Sequence, residues 1–190
     1  MTPRIDERLN LIIPVDRLAG GTAYIHANPI GRDVFETYWL TLAKTFAAIW
    51  QEGLNEIAGP KVAALMLRHI AEQNKTWDGP AGVSLGLMGE IRRLTNVVAP
   101  GGARGWDIVP LDQAVTMKLI DIEDVPEIEG VLVFFSVTWH LNRQSERLPI
   151  MDVVAKRLDA SMSSQTLSAF VNSLPTSIAT GSTGATPLAA

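Results

Sequence analysis

The segment VLVFFSVTW, Val131–Trp139, decides how the whole chain is interpreted, because it fits either a strand or a buried helix. Its β-branched and aromatic residues favour a strand. Five acidic residues precede it between positions 121 and 129, and Arg143 follows it, which is the charge order that a helix dipole favours. No turn signal nearby would place the segment in a hairpin. We therefore predict a central helix that is apolar on most faces and buried, with the strand as the alternative.

The clearest amphipathic pattern lies upstream, in GRDVFETYWLTLAKTFAAIWQEGL, residues 31–54. Asp33 and Glu36 near its start suit the positive end of a helix dipole. Apolar residues recur every three or four positions, which predicts one helix with a single broad apolar face. That face consists of Phe35, Tyr38, Trp39, Leu42, Phe46, Ile49 and Trp50.

Further helical patterns follow along the chain. We predict that Pro60 lies in the first turn of the second helix, where a missing N–H is tolerated. The last helix is predicted to begin at the N-cap Ser164 and to stop at Pro175. The predicted helices after the first cover residues 59–73, 83–98, 110–121, 122–143, 148–160 and 163–175.

Two extended segments near the N-terminus flank the turn-like DRLAGG, residues 16–21. Polar and apolar residues alternate from Thr22 to His26, so we predict a small β-hairpin over about residues 9–30. The predicted fold is mainly α: one compact multi-helix domain over residues 1–174 that includes the hairpin. Residues 161–190 contain no charged side chain, and we predict that 175–190 form a flexible, uncharged tail or linker.

The composition favours a protein that binds another chain. The 190 residues are 47% hydrophobic with a mean hydropathy of +0.16, and they include five Trp and five Phe. This indicates either a generous core or apolar surface that meets a partner, and the number of aromatic residues favours the partner. A net charge of −4 gives no general attraction to nucleic acid or anionic lipid. The longest apolar stretch is too short to cross a bilayer, so we expect no membrane partner.

Patterns that carry chemistry are missing from the sequence. The chain has no Cys, and His26, His69 and His140 are too far apart in sequence to form a recognisable metal motif. The acidic residues before Val131 lack the spacing of a calcium loop. Neither pair of adjacent glycines belongs to a phosphate-binding motif. We therefore predict no catalytic residue, no cofactor and no metal, and a protein that is not an enzyme.

Several strings resemble tail assembly chaperones from the tail-gene region of long-tailed, siphovirus-like bacteriophages. They are YIHANPIGRDVFETYWLTLAKTFAAIWQEGLNEIAGPKVAALML, GLMGEIRRLTNVVAP, GWDIVPLDQAV, VLVFFSV and the closing FVNSLPTS. The resemblance covers about Leu11 to Pro175. It implies a mostly helical protein of the host cell cytoplasm that binds the tape-measure protein. Such chaperones keep the apolar helices of that protein from aggregating until the tail tube polymerises around it, and a longer frameshifted product recruits the tail-tube protein.

Holding an apolar helix requires an exposed apolar groove. As partner-binding residues we predict Phe35, Trp39, Phe46 and Trp50 on the first helix. We add Leu167 and Phe170 in LSAFVNSL, because that short segment can detach. Self-association through these surfaces stays open. The alternative is a structural virion protein of the tail or neck, whose hairpin adds to the sheet of a neighbouring subunit.

Overall fold

One antiparallel sheet and a set of helices make up the part of the chain that the computed structural model describes: residues 9–17, 19–101, 105–142, 144–157 and 159–175. The strands are β1 (Asn10–Asp16), β2 (Thr22–Ala27), β3 (Thr95–Pro100), β4 (Trp106–Pro110) and β5 (Ser161–Ser163). The helices are α1 (Arg32–Thr37), α2 (Trp39–Gln51), α3 (Asn55–Gln73), α4 (Met88–Arg93), α5 (Leu111–Thr116), α6 (Val125–Leu141), α7 (Gln144–Arg157) and α8 (Leu167–Ser173), and a π-helical turn, Val83–Leu87, leads into α4.

The prediction of a mainly α fold with a small hairpin is wrong. The described part of the chain is mixed α/β, with 55% helix and 18% strand, and the five strands found in it pair in the order β4-β3-β2-β1-β5. β1 and β2 do form a hairpin within the predicted range, but β3 extends it on one side and β5 on the other. The helix predicted over residues 83–98 ends at Arg93, and Thr95–Pro100 is a strand.

The central helix α6 confirms the helical interpretation of Val131–Trp139. Every side chain from Val131 to Trp139 is buried, although a helix at the surface would expose one side. α6 packs closely along α3, and Gly130 makes this approach possible. A Cβ at Gly130 would lie 2.5 Å from the carbonyl oxygen of Pro60 and 2.7 Å from that of Lys61. The buried position of α6 therefore offsets the strand propensity of its residues.

Several predicted boundaries are shifted. The first predicted helix is divided at Tyr38, whose backbone leaves the helical region (φ −103°, ψ 10°) and whose hydroxyl donates to the carbonyl oxygen of Ala81 at 3.2 Å. Pro60 lies inside α3, because that helix already begins at Asn55. The helix predicted over residues 110–121 ends at Thr116. The predicted tail, apart from Pro175, lies outside the described residues.

The two faces of the sheet pack against different parts of the chain. From the register, alternate residues such as Leu11, Ile13, Ile25 and Val97 share one face and belong to the core with the helices. The opposite face, called the outer face below, carries uncharged side chains over its central part. These are Asn10, Ile12, Pro14, Thr22, Tyr24, His26, Asn96, Val98, Pro100, Trp106, Ile108 and Pro110.

Candidate partner-binding surfaces

An apolar strip runs along the solvent side of α2, and we call it the α2 stripe: Trp39, Leu40, Ala43, Ala47 and Trp50. Trp39 and Trp50 are 46% and 51% exposed, and Leu40 is 65% exposed. The two tryptophans are eleven residues apart, so they lie on nearly the same side of the helix about 16 Å apart along its axis. Large aromatic side chains of this kind are enriched in protein–protein interfaces.

The α2 stripe exists because the apolar arc of α2 is wider than the core beneath it. At about 100° per residue, the stripe and the buried residues Leu42, Phe46 and Ile49 fill two adjoining arcs of the helix. The core covers the second arc and leaves the first in contact with solvent. The sequence pattern therefore shows one broad apolar face, of which the structure buries about half.

The predicted residues Phe35 and Phe46 lie in the core, each only 8% exposed. The Phe35 ring stacks on His140 with centroids 4.7 Å apart, and it also meets Trp39 at 5.6 Å. Phe46 packs against Phe134 of α6 at 5.2 Å. Phe35 and Phe46 are therefore core residues. Trp39 and Trp50 are the predicted residues of α2 that are accessible to solvent.

The other two predicted residues, Leu167 and Phe170, belong to a short segment that lies across the outer face of the sheet. We call residues 164–175 the strap. Its helix, α8, begins after Thr166, whose hydroxyl accepts from the backbone N–H of Ala169 at 3.3 Å, so Thr166 replaces the predicted N-cap Ser164. Leu167, Phe170, Val171 and Leu174 are half-buried, and their i, i+3, i+4, i+7 spacing places them on one side of the helix.

Aromatic rings join the strap to the sheet. The Phe170 ring lies 5.6 Å from that of Tyr24 in an edge-to-face arrangement and 5.9 Å from that of His26. Tyr24 in turn contacts Trp106 of β4 at 5.8 Å. Ile12 and Val98 on the same face are buried as well. An open groove of about 420 Å³ continues beside the strap between α8 and β4.

Three side-chain hydrogen bonds hold the two ends of the strap. The carbonyl oxygen of Gln165 accepts from Nδ2 of Asn10 at 2.8 Å and from Nε2 of His26 at 3.3 Å. At the other end, Nε1 of Trp106 donates to the carbonyl oxygen of Pro175 at 2.9 Å. The strap is therefore attached through backbone carbonyls, which any chain in the same path could supply.

His26 is buried under the strap and is held neutral there. Burial lowers the pKa of His26, and its hydrogen bond to Gln165 opposes that effect in part. Nδ1 of His26 is buried and has no hydrogen-bond partner among the described residues. Protonation would therefore place a charged ring between Phe170 and the sheet, with its second N–H unsatisfied.

Sequence reasoning missed most of the exposed apolar residues, because they occur singly and leave no periodic signal. It also missed the outer face, because Tyr24 and Trp106 are far apart in sequence and meet only through the strand order. Among the described residues, the large exposed apolar side chains outside α2 are Leu65, Leu85, Ile108, Met117, Ile122, Leu141 and Val153.

The histidines and acidic residues do not assemble into a common site. His26 lies on β2, His140 ends α6 against Phe35, and His69 bonds Gln73 on the exposed side of α3 at 2.8 Å. Burial lowers the pKa of His140, and the charges of Arg147 and Arg32 add to that lowering. Within the ranges given above, no three His, Asp or Glu side chains are grouped closely enough to share a metal ion.

Two further findings concern the whole of the described chain. None of the helices found in these residues combines the length and the apolar character that crossing a membrane requires. Comparisons with protein-family models, with curated proteins and with solved structures gave no match to this chain.

Proposed function

We propose that this chain is a non-enzymatic tail assembly chaperone of a long-tailed phage, which binds the tape-measure protein in the host cytoplasm and keeps it soluble. The observation that carries the proposal is the α2 stripe, with Trp39 and Trp50 about half exposed on one side of a helix. The resemblance of the sequence to such chaperones supplies the identity of the partner. We also propose the tail-tube protein as a second partner, recruited by the extra domain of a longer frameshifted product.

The stripe has the properties that binding an apolar helix requires. A tape-measure protein presents long amphipathic helices, and such a helix packs its apolar side against another apolar helix face. Two tryptophans three turns apart match the repeat along which a partner helix presents its own apolar residues. Tryptophans at the centre of an interface each contribute on the order of 2 kcal/mol or more.

One argument for the alternative, a structural virion protein, is weaker in this fold. It relied on a free edge of the N-terminal hairpin, but β5 pairs with residues 10–12 of β1 and β3 pairs with residues 24–27 of β2. Much of both hairpin edges is therefore occupied within the chain. Mass spectrometry of purified virions separates the two functions, since a chaperone is absent from mature particles and a structural protein is abundant there.

Co-expression with the tape-measure protein tests the proposal. The chain should raise the soluble fraction of the tape-measure protein and co-purify with it. The double variant Trp39→Ser/Trp50→Ser should reduce the co-purified amount by roughly 30-fold or more, since the loss of even one contribution of about 2 kcal/mol is roughly 30-fold in affinity. Ile122→Ser, which changes an exposed apolar residue between α5 and α6, is the control and should bind normally. Equal co-purification of both variants would count against the proposal.

A further inference from the structure

The outer face of the sheet is a second apolar surface, and the short strap covers part of it. Ile12, His26 and Val98 on this face are at most 4% exposed, as in a protein core. In contrast, α8, whose Phe170 contacts Tyr24 and His26 on this face, has no fully buried residue. Seven helical residues are too few to be stable without a docking surface. The contact with the sheet therefore stabilises the helix of the strap, which would not be stable as an isolated segment.

The strap occupies the outer face in the way that a bound peptide would. Leu167, Phe170, Val171 and Leu174 have the anchor spacing of a helix that docks into an apolar groove. The strap carries no charge, and neither do the residues beneath it, such as Tyr24, Val98 and Trp106. Charged side chains over this central part would lose their hydration without gaining partners, since the carboxylate of Asp107 lies only at the edge, in the groove between α8 and β4. The surface thus selects uncharged amphipathic helices.

We propose that the outer face is a binding groove for an uncharged amphipathic helix of the partner protein, and that the chain's own strap fills this groove until the partner displaces it. The inference rests on the proposed function only for the source of the incoming helix. The groove itself is defined by Tyr24, His26 and Trp106, which are separate from the α2 stripe. Because the strap is joined to β5, it competes at high effective concentration, so an incoming helix must bind more tightly or over a longer surface.

A free peptide with the sequence of residues 164–175 is the probe, since its chemistry is known to fit the groove. We would measure its binding to the full chain by fluorescence anisotropy, with a label on the peptide N-terminus. The variant Phe170→Ser weakens the attached strap and should raise the affinity of the full chain for the native peptide roughly tenfold or more. Leu167→Ser should act in the same direction, and it provides a second variant if Phe170→Ser fails to fold.

The matched control is Ala169→Ser, which changes an exposed residue of the same helix outside the groove lining and should leave peptide binding at the native level. A peptide that itself carries Phe170→Ser should not bind. Circular dichroism confirms that each variant is folded. The inference is overturned if Phe170→Ser and Leu167→Ser both bind the peptide no better than the native chain. It is also overturned if both show no saturable binding up to about 1 mM peptide.

A native dimer that Phe170→Ser abolishes would also overturn the inference, since the occupant would then be the strap of a second copy. Failure here is distinguishable from failure of the proposed function. The peptide assay contains no tape-measure protein, and the Trp39→Ser/Trp50→Ser co-purification leaves the strap intact. Either result can therefore be negative while the other stands.

Discussion

Single residues on α2 show how one apolar pattern can serve two purposes. Phe46 and Trp50 are one turn apart, yet Phe46 packs against Phe134 and Trp50 meets solvent. The difference arises from the width of the core beneath the helix, which a pattern of apolar residues does not encode. Composition indicated excess apolar surface, and the structure assigns part of that excess to Trp39 and Trp50.

At the same scale, His26 should make the stability of the protein depend on pH. Its pKa is lowered in the folded state, so the unfolded chain binds a proton more readily. The stabilising effect is complete above about pH 6.5, the ordinary histidine pKa, and is lost as the pH falls towards the lowered pKa. Denaturant titrations of His26→Gln between pH 7 and pH 5 should therefore show a weaker loss of unfolding free energy on acidification than the native chain does.

The control for this prediction is His69→Gln, at an exposed position on α3, which should keep the native pH dependence. Some pH dependence should persist in His26→Gln as well, because burial also lowers the pKa of His140. An unchanged pH dependence in His26→Gln would show that the ring is not held neutral beneath the strap.

At the scale of secondary-structure elements, charge order predicted α6 correctly and periodicity misled the prediction for β3. Leu87, Ile91, Leu94 and Val98 repeat at helical spacing, so in the sequence alone the helical pattern continues past Arg93. Thr95–Pro100 shows no polar–apolar alternation, because the core buries one face of the strand and the outer face of the sheet is covered too. Such a strand is hard to distinguish from a buried helix without knowledge of its partners. β4 and β5 are too short to give a periodic signal.

The packing of α3 on α6 leads to a second prediction. Gly130→Ala should lower the free energy of unfolding by about 1–3 kcal/mol, because the new methyl group would press on the backbone of Pro60 and Lys61. In the matched control, Gly89→Ala in α4, the added methyl meets nothing within 4 Å. That change should stabilise the helix by up to about 1 kcal/mol. Chemical denaturation measures both, and a Gly130→Ala variant as stable as Gly89→Ala would contradict the close α3–α6 contact.

At the scale of the whole molecule, a mixed α/β core presents apolar surface in two places. The helices cover one face of the sheet and leave the α2 stripe outside, while the strap covers the other face. The sequence predicted the helical half of this arrangement, together with a last helix that contains Leu167 and Phe170. It could not predict that the strap lies on a sheet, since that requires the pairing of β2 with β3 across about seventy residues.

Site-specific photo-crosslinking tests the claim that the α2 stripe contacts another chain directly. A photoactivatable phenylalanine analogue would replace Trp39, Trp50 or the control residue Ile122 during co-expression with the tape-measure protein. We expect crosslinks to the tape-measure protein from positions 39 and 50 and few from position 122. Crosslinks from position 122 but not from positions 39 and 50, or none from any position while the proteins co-purify, would contradict the claim.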